Sequence, residues 1–442
     1  MAFLIRSERS TSALLNGRRA LVVESSRRVR LMLREAVSSL GPVQVVSSDN
    51  ATDAIEDLRA ERFDVVICGH VPGPGYDTVT LLERIRTLHL LPRTGTLVAV
   101  TASRTQRDVI SLAAQAPDLC LIKPISPSEL RLRLAEAIMQ KQPLESVSEE
   151  IDAGDVRAAI EQTLALGSGR TELKRSALRM LCEALLEQRD PIRAEEVIDL
   201  ASAFGDAPWM MLARARVRAL QGQQAQARAL LEQLVRERPE FIASYEELAA
   251  IEAELGEFPS AVRHLEEANA RAGFSIGRFR RTGELAIRSG ELGVAESALD
   301  RLLGRVGSSE LAEGGDYIAM VDVLAARGKL DRAGQVAREL QRTHSYCPDS
   351  GVLLPLVAYR RRVDEGGDPI AALESLLTAL EKAGPEVSVE TRLQVLEACL
   401  EQGMRRQALE IARAIAASGR ADRFRLGRVR ALLEHTTEHA PR

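Results

Sequence analysis

Three stretches of this sequence, GQQAQARALLEQL (222–234), GEFPSAVRHLEEA (256–268) and GELGVAESALDRL (290–302), align without gaps and lie 34 residues apart. A fixed period of that length in Ala/Leu/Arg/Glu-rich sequence restricts the fold to a row of helical hairpins. One hairpin cannot bury its apolar stripe alone, whereas stacked hairpins can. Each stretch opens on a turn glycine, and the apolar triplets Ala227/Leu231/Leu234, Ala261/Leu265/Ala268 and Ala295/Leu299/Leu302 follow at i, i+4, i+7. That spacing sets each triplet on one helix face, and the small first member lets a neighbouring helix approach.

The phrase recurs more loosely as RDPIRAEEVIDLA (189–201), GKLDRAGQVAREL (328–340), GDPIAALESLLTA (367–379) and GMRRQALEIARAI (403–415), giving about seven units over residues 154–433. With Pro239 and Tyr245 also in register, the pattern resembles tetratricopeptide repeats. The resemblance implies an all-α solenoid whose first helices form a protein-binding groove. On this register Arg216, Glu246, Glu254, Arg280, Glu284 and Arg288 face that groove. Both charge signs are present, so no single charged ligand class is indicated; the plain alternative for each is a solvated surface charge.

Residues 18–140 carry a different rhythm. Short apolar runs at 20–24, 43–46, 64–68, 97–103 and 119–124 alternate with amphipathic helical stretches. Five such pairs predict an α/β domain with a doubly wound, five-stranded parallel sheet. The third strand ends in FDVVICGHVPGPGYD (63–77), where Pro and Gly bring the chain to the sheet edge that usually holds a site.

LVVESSRRVR, FDVVICGHVPG, VTAS and IKPISPSEL, in this order and spacing, resemble the receiver domain of bacterial response regulators, a flavodoxin-like fold. That resemblance implies an aspartate phosphorylated after the third strand, two acids after the first strand holding Mg²⁺, and a Thr and a Lys on the phosphoryl group. A carboxylate is the nucleophile, a hard cation needs oxygen ligands, and an ammonium balances the remaining charge. Thr101 and Lys123 match, and Glu24 keeps the first acidic place, but Ser25 stands at the second. Counting from Asp64 puts Gly69 at the acceptor position, and counting back from Pro72 puts Cys68 there; Gly69 is favoured, and neither forms an acyl phosphate. Cys120 replaces the family's switch aromatic. The domain reads as a pseudo-receiver without a cofactor, in which Lys123 pairs with Glu24. Asp77 is expected to N-cap the next helix rather than to act as a substitute acceptor.

A formal charge of −4 and 3% aromatics over 442 residues argue against nucleic-acid binding. Five singly placed cysteines and six scattered histidines offer no metal or disulfide framework, and the His435/His439 pair lacks a third ligand. The apolar N-terminal run is four residues, short for a signal peptide, and no later window is long enough to span a membrane. Five lysines against 54 arginines make Lys123 conspicuous. The expected organisation is a tail (1–17), a receiver-like domain (18–140), a linker (141–153), a repeat array (154–433) and a tail (434–442). The expected function is a non-enzymatic cytoplasmic adaptor of a two-component phosphorelay that binds a sensor kinase or another regulator. The alternative is a scaffold homodimerised through the receiver's fourth and fifth helices.

Overall fold

A computed structural model of the chain describes residues 13–41, 43–71, 75–167, 169–307 and 309–438, without the side chains of 435–438. It divides into two compact units, Met1–Arg278 and Phe279–Arg442, with the boundary inside one helix.

The first unit begins with a parallel sheet of β1 (Arg19–Val23), β2 (Gln44–Ser48), β3 (Val65–Cys68), β4 (Thr96–Thr101) and β5 (Leu119–Ile122), in the order β2-β1-β3-β4-β5. Helices α1 (Arg27–Ser38), α2 (Ala51–Ala60), α3 (Thr78–Thr87), α4 (Gln106–Ala114) and α5 (Pro127–Lys141) follow the strands in turn. The central strand β3 is buried throughout, which is why it reads as an unbroken apolar run. Val23 pairs with Ser48 on one side and Cys68 on the other, so the C-terminal ends of β1 and β3 meet at one edge. Caps agree with the residue types: Asn50, Asp77, Thr105 and Ser126 each accept a first-turn backbone N–H.

The described part of the expected N-terminal tail and the expected linker both prove to be structured. Leu14 and Leu15 of the supposed N-terminal tail are buried in the sheet's core, with Leu15 donating to the Leu40 carbonyl. The supposed linker is a 3₁₀ turn (Gln142–Leu144) and helix α6 (Glu145–Asp152). Leu144, Val147 and Ile151 join the first core of the helical array, so the polar residues that suggested a linker are one face of a packed helix.

Beyond α6 the first unit continues through α7 (Val156–Ala165), α8 (Thr171–Glu187), α9 (Pro191–Ser202), α10 (Pro208–Leu220), α11 (Gln224–Glu237), α12 (Ile242–Glu254) and α13 (Phe258–Arg271). Helix α14 (Ile276–Ser289) crosses the boundary. The second unit holds α15 (Leu292–Val306), α16 (Gly314–Ala326), α17 (Leu330–Thr343), α18 (Leu353–Asp364), α19 (Ile370–Ala383), α20 (Val389–Glu401), α21 (Arg405–Ala417) and α22 (Arg423–Glu438). Helix α22 runs into the segment expected as a C-terminal tail.

The turn glycines of the repeat have a backbone cause: Gly222, Gly256 and Gly290 have φ of 75°, 82° and 80°, the left-handed region that side chains resist. Arg189 occupies the equivalent place before α9 with φ of 56°. The small residues are packed as the period requires, Ala227, Ala261 and Ala295 being fully buried.

Within the first unit the sheet domain lies against α12, the end of α13 and the start of α14. Ile110 and Ala114 of α4 pack on Ile242 and Tyr245 of α12, Ala268 of α13 and Ala272 just beyond it. Arg107 donates to the carbonyls of Asn269 (3.1 Å) and Ala272 (3.2 Å), and Ser111 Oγ accepts the Gly273 N–H. The Glu83 carboxylate of α3 accepts from Ser275 Oγ (3.0 Å) and from the N–H groups of Ile276 (3.1 Å) and Gly277 (2.9 Å), capping the start of α14. Arg93 reaches Glu187 of α8 at 3.2 Å.

Candidate functional site

The β-strand edge gathers the pocket residues around one carboxylate. Glu24 follows β1 and is 1% exposed. Its Oε2 accepts from Lys123 Nζ at 2.8 Å and from the His70 N–H at 3.0 Å, while Oε1 accepts the Ser26 N–H at 3.0 Å. A buried carboxylate is stable only with such partners, and here both oxygens have them. Arg30 of α1 donates to the carbonyls of Glu24 and Ser25, holding the turn that aims the side chain.

Gly69 continues β3 by donating its N–H to the Val23 carbonyl at 2.7 Å, and its own carbonyl accepts from Thr78 Oγ1 at 2.7 Å. A Cβ on Gly69 would lie 2.2 Å from Glu24 Oε2. The glycine therefore makes room for the glutamate, and the place where a side chain would enter the pocket is filled by the Glu24 carboxylate. Cys68 is the last β3 residue and lies in the core, where burial pushes its thiol well above the ordinary range.

The other pocket residues take simpler roles. Thr101 Oγ1 accepts the Ser103 N–H at 3.0 Å and shapes the loop after β4. Ser25 contributes its N–H to the His70 carbonyl at 2.9 Å. Asp77 caps α3 by accepting the Thr80 N–H at 2.8 Å, as its position suggested. Cys120 is exposed on β5. The Mg²⁺ that the receiver resemblance implies does not fit these residues: the two oxygens of Glu24 already receive three donors, and Ser25 stands where a second acid would follow it. Among the described residues no group of three or more His, Cys, Asp or Glu is placed to hold a metal. His435 and His439 lie outside the described side chains.

The six groove candidates are engaged inside the chain rather than free. Arg216 pairs with Glu247 (2.7 Å), Glu246 with Arg278 (3.0 Å), and Glu254 accepts from Gln224 (2.9 Å). In the second unit Arg280 binds Asp316 (2.7 Å) and Glu313 (2.8 Å), and Arg288 bridges Glu284 (3.1 Å) and Asp422 (3.0 Å). Arg280, Glu284 and Arg288 line one cavity, with residues of α16, α20 and α22. Sequence reasoning missed Asp322 in that cavity, although an acid inside the apolar run of α16 was a usable sign. It also missed Glu83, Arg107 and Ser111, whose partners lie more than 160 positions away and leave no local trace.

The sheet order, the strand-edge residues and the repeated hairpins define a receiver-type α/β domain joined to helical repeats. Residues 20–135 match the response regulator receiver domain. Over 180 residues the chain is 31% identical to the virulence sensor protein BvgS of Bordetella pertussis and equally to that of Bordetella bronchiseptica. The match covers 38% of this chain and 14% of each of those proteins, so the chain spans a small part of the curated relatives it matches. Among solved structures it is similar to a tetratricopeptide repeat protein from Parabacteroides merdae, with 15% identity over 61% of this chain and all of that one, at a TM-score of 0.44. It is also similar to the chemotaxis response regulator CheY4 of Vibrio cholerae, with 20% identity over 27% of this chain and 98% of that one, at a TM-score of 0.25. No described helix is long and apolar enough to cross a membrane.

Proposed function

We propose that the chain is a phosphorylation-independent signalling adaptor whose receiver-like domain is held in one state and whose repeats bind protein partners. The receiver match and the hairpin repeats support a signalling or protein-interaction role. The adaptor reading adds a two-component pathway in the cytoplasm, with a sensor kinase or regulator as partner.

One observation carries the reading: the Glu24 carboxylate occupies the space beside Gly69, with Lys123 on it at 2.8 Å. In a receiver that could be phosphorylated, the lysine would be available to the phosphoryl group and an acceptor carboxylate would stand at the end of β3. Here the ammonium is already neutralised and the acceptor is a glycine. The pocket thus resembles a receiver with its charge balance permanently satisfied from within.

Packing of α4 on α12 and α13 also weighs against a homodimer through the fourth and fifth helices, because that dimer would need the α4 face that Arg107, Ile110 and Ser111 already use. The full-length chain incubated with acetyl phosphate and Mg²⁺, then measured by intact mass and acid-urea electrophoresis, is expected to gain no labile phosphate. A hydroxylamine-sensitive phosphate within residues 18–140 would sink the proposal.

A further inference from the structure

In the second unit helices α14, α15, α16 and α20, together with the start of α22, line a cavity of about 340 Å³. Ile287, Leu299, Ile318, Leu393 and Phe424 give it an apolar wall. Its arginines are spent: Arg280 on Asp316 and Glu313, Arg288 on Glu284 and Asp422, Arg425 on Glu390, and Arg428 on Glu397. Asp322 is the exception. It is half-buried, lines the cavity, and makes no hydrogen bond or ion pair among the described residues.

A carboxylate left without a partner against an apolar wall is a standing cost, and a cation placed beside it would relieve that cost. The charged groups that act on it are Arg428 of α22 and Arg360 of α18, which favour the anion, and Glu397 and Glu390 of α20, which oppose it. Desolvation outweighs the arginines and raises its pKa to about 6, so Asp322 is charged at neutral pH but poorly compensated.

We propose that this cavity receives a lysine side chain of a partner protein, with the ammonium against Asp322 and the methylene stem along the apolar wall. A lysine fits better than an arginine because one free carboxylate offers a point charge, whereas a guanidinium fork seeks a second acceptor and the neighbouring acids are already taken. The assignment rests on the reading of the repeats as a protein-binding array. It is independent of whether the receiver-like pocket accepts phosphate.

The test is saturation-transfer NMR on the full-length chain with three probes: N-acetyl-lysine methylamide, n-butylammonium and the neutral n-pentanol. Wild type is expected to bind the blocked lysine saturably, in competition with n-butylammonium and with preference over n-pentanol. Asp322→Asn is expected to weaken binding at least tenfold while keeping the wild-type unfolding midpoint or a higher one. Ala319→Leu, which narrows the cavity without touching the carboxylate, is expected to weaken it too. Wild-type affinity is expected to fall about tenfold between pH 7.5 and pH 5, as Asp322 takes up its proton. Equal affinity in Asp322→Asn, no saturable binding by wild type, or equal binding of n-pentanol overturns the proposal. Binding of n-butylammonium alone also overturns it, because the site then excludes a lysine borne on a peptide. None of these results changes the expected mass after acetyl phosphate treatment, so the two readings fail separately.

Discussion

The carboxylate of Glu83 accepts the backbone N–H of Gly277 at 2.9 Å, so a helix of the sheet domain supplies the cap for a helix of the repeats. Burial pushes the Glu83 carboxyl up, and the Ser275, Ile276 and Gly277 donors pull against it. Glu83→Ala leaves those donors without their cap. We expect a loss of about 1–3 kcal/mol at this junction, read by urea unfolding and by faster amide exchange at residues 275–278. Unchanged exchange there would remove the cap from the docking.

Gly273 tests the same junction from the other side. A Cβ on it would lie 2.6 Å from Ser111 Oγ, and its N–H donates to that oxygen. Gly273→Ala is expected to loosen the receiver-like domain from α12 and α13, seen as new protease cleavage between residues 141 and 155. The pair Gly273→Ala with Ser111→Gly removes the clash and is expected to recover part of the resistance.

Gly69→Asp is the direct trial of the strand-edge pocket. The new side chain would begin 2.2 Å from Glu24 Oε2 and add a like charge. We expect a destabilisation of about 2–4 kcal/mol by urea unfolding and no labile phosphate after acetyl phosphate treatment. Shortening the neighbour in Gly69→Asp with Glu24→Asp is expected to return much of the stability, because the second carboxylate then withdraws from the acceptor position.

Arg189 holds a left-handed backbone, φ 56°, at the turn where the other repeats place glycine. Arg189→Gly is expected to stabilise the chain by about 1 kcal/mol, since a non-glycine residue pays roughly that for the conformation. Its unfolding midpoint in urea reads this. A lower midpoint would mean that the Arg189 side chain contributes more than its backbone costs.

Asp322 makes stability depend on pH. Its pKa of about 6 in the folded chain lies above the ordinary value of about 4, so the folded state binds the proton more tightly. Its contribution is therefore full below about pH 4 and is lost as pH rises through about 6. Asp322→Asn is expected to raise stability by about 1–2 kcal/mol at pH 7.5, with screening of this half-buried group allowed for, and to leave it unchanged at pH 4. Equal stability of the two proteins at pH 7.5 would contradict this.

The periodic features were legible because each is local: β3 as an apolar run, Asp77 as a cap three residues before its donor, the turn glycines at fixed spacing. Gly69 was legible as a position, though its cause was hidden, because the Glu24 side chain that fills its space comes from another strand. The groove charges were read as facing the groove or as solvated, and the ion pairs they make inside the chain were not legible. Arg216 and Glu247 lie 31 residues apart, close to one repeat period, and stacking brings such opposite charges together. Segment 141–153 looked like a linker because one face of α6 is polar; its other face, with Leu144, Val147 and Ile151, packs on the helices that follow it, a pairing the short apolar spacing alone does not announce.

The docking of α3 and α4 on α12 and α13 has a consequence for synthesis. Ribosomes release the N-terminal side first, so all five strands of the sheet are synthesised before residues 242–277 emerge and can fold ahead of them. The later hairpins can then meet a finished wall that already carries Glu83, Arg107 and Ser111, and the earlier domain serves the nascent repeats as a built-in template.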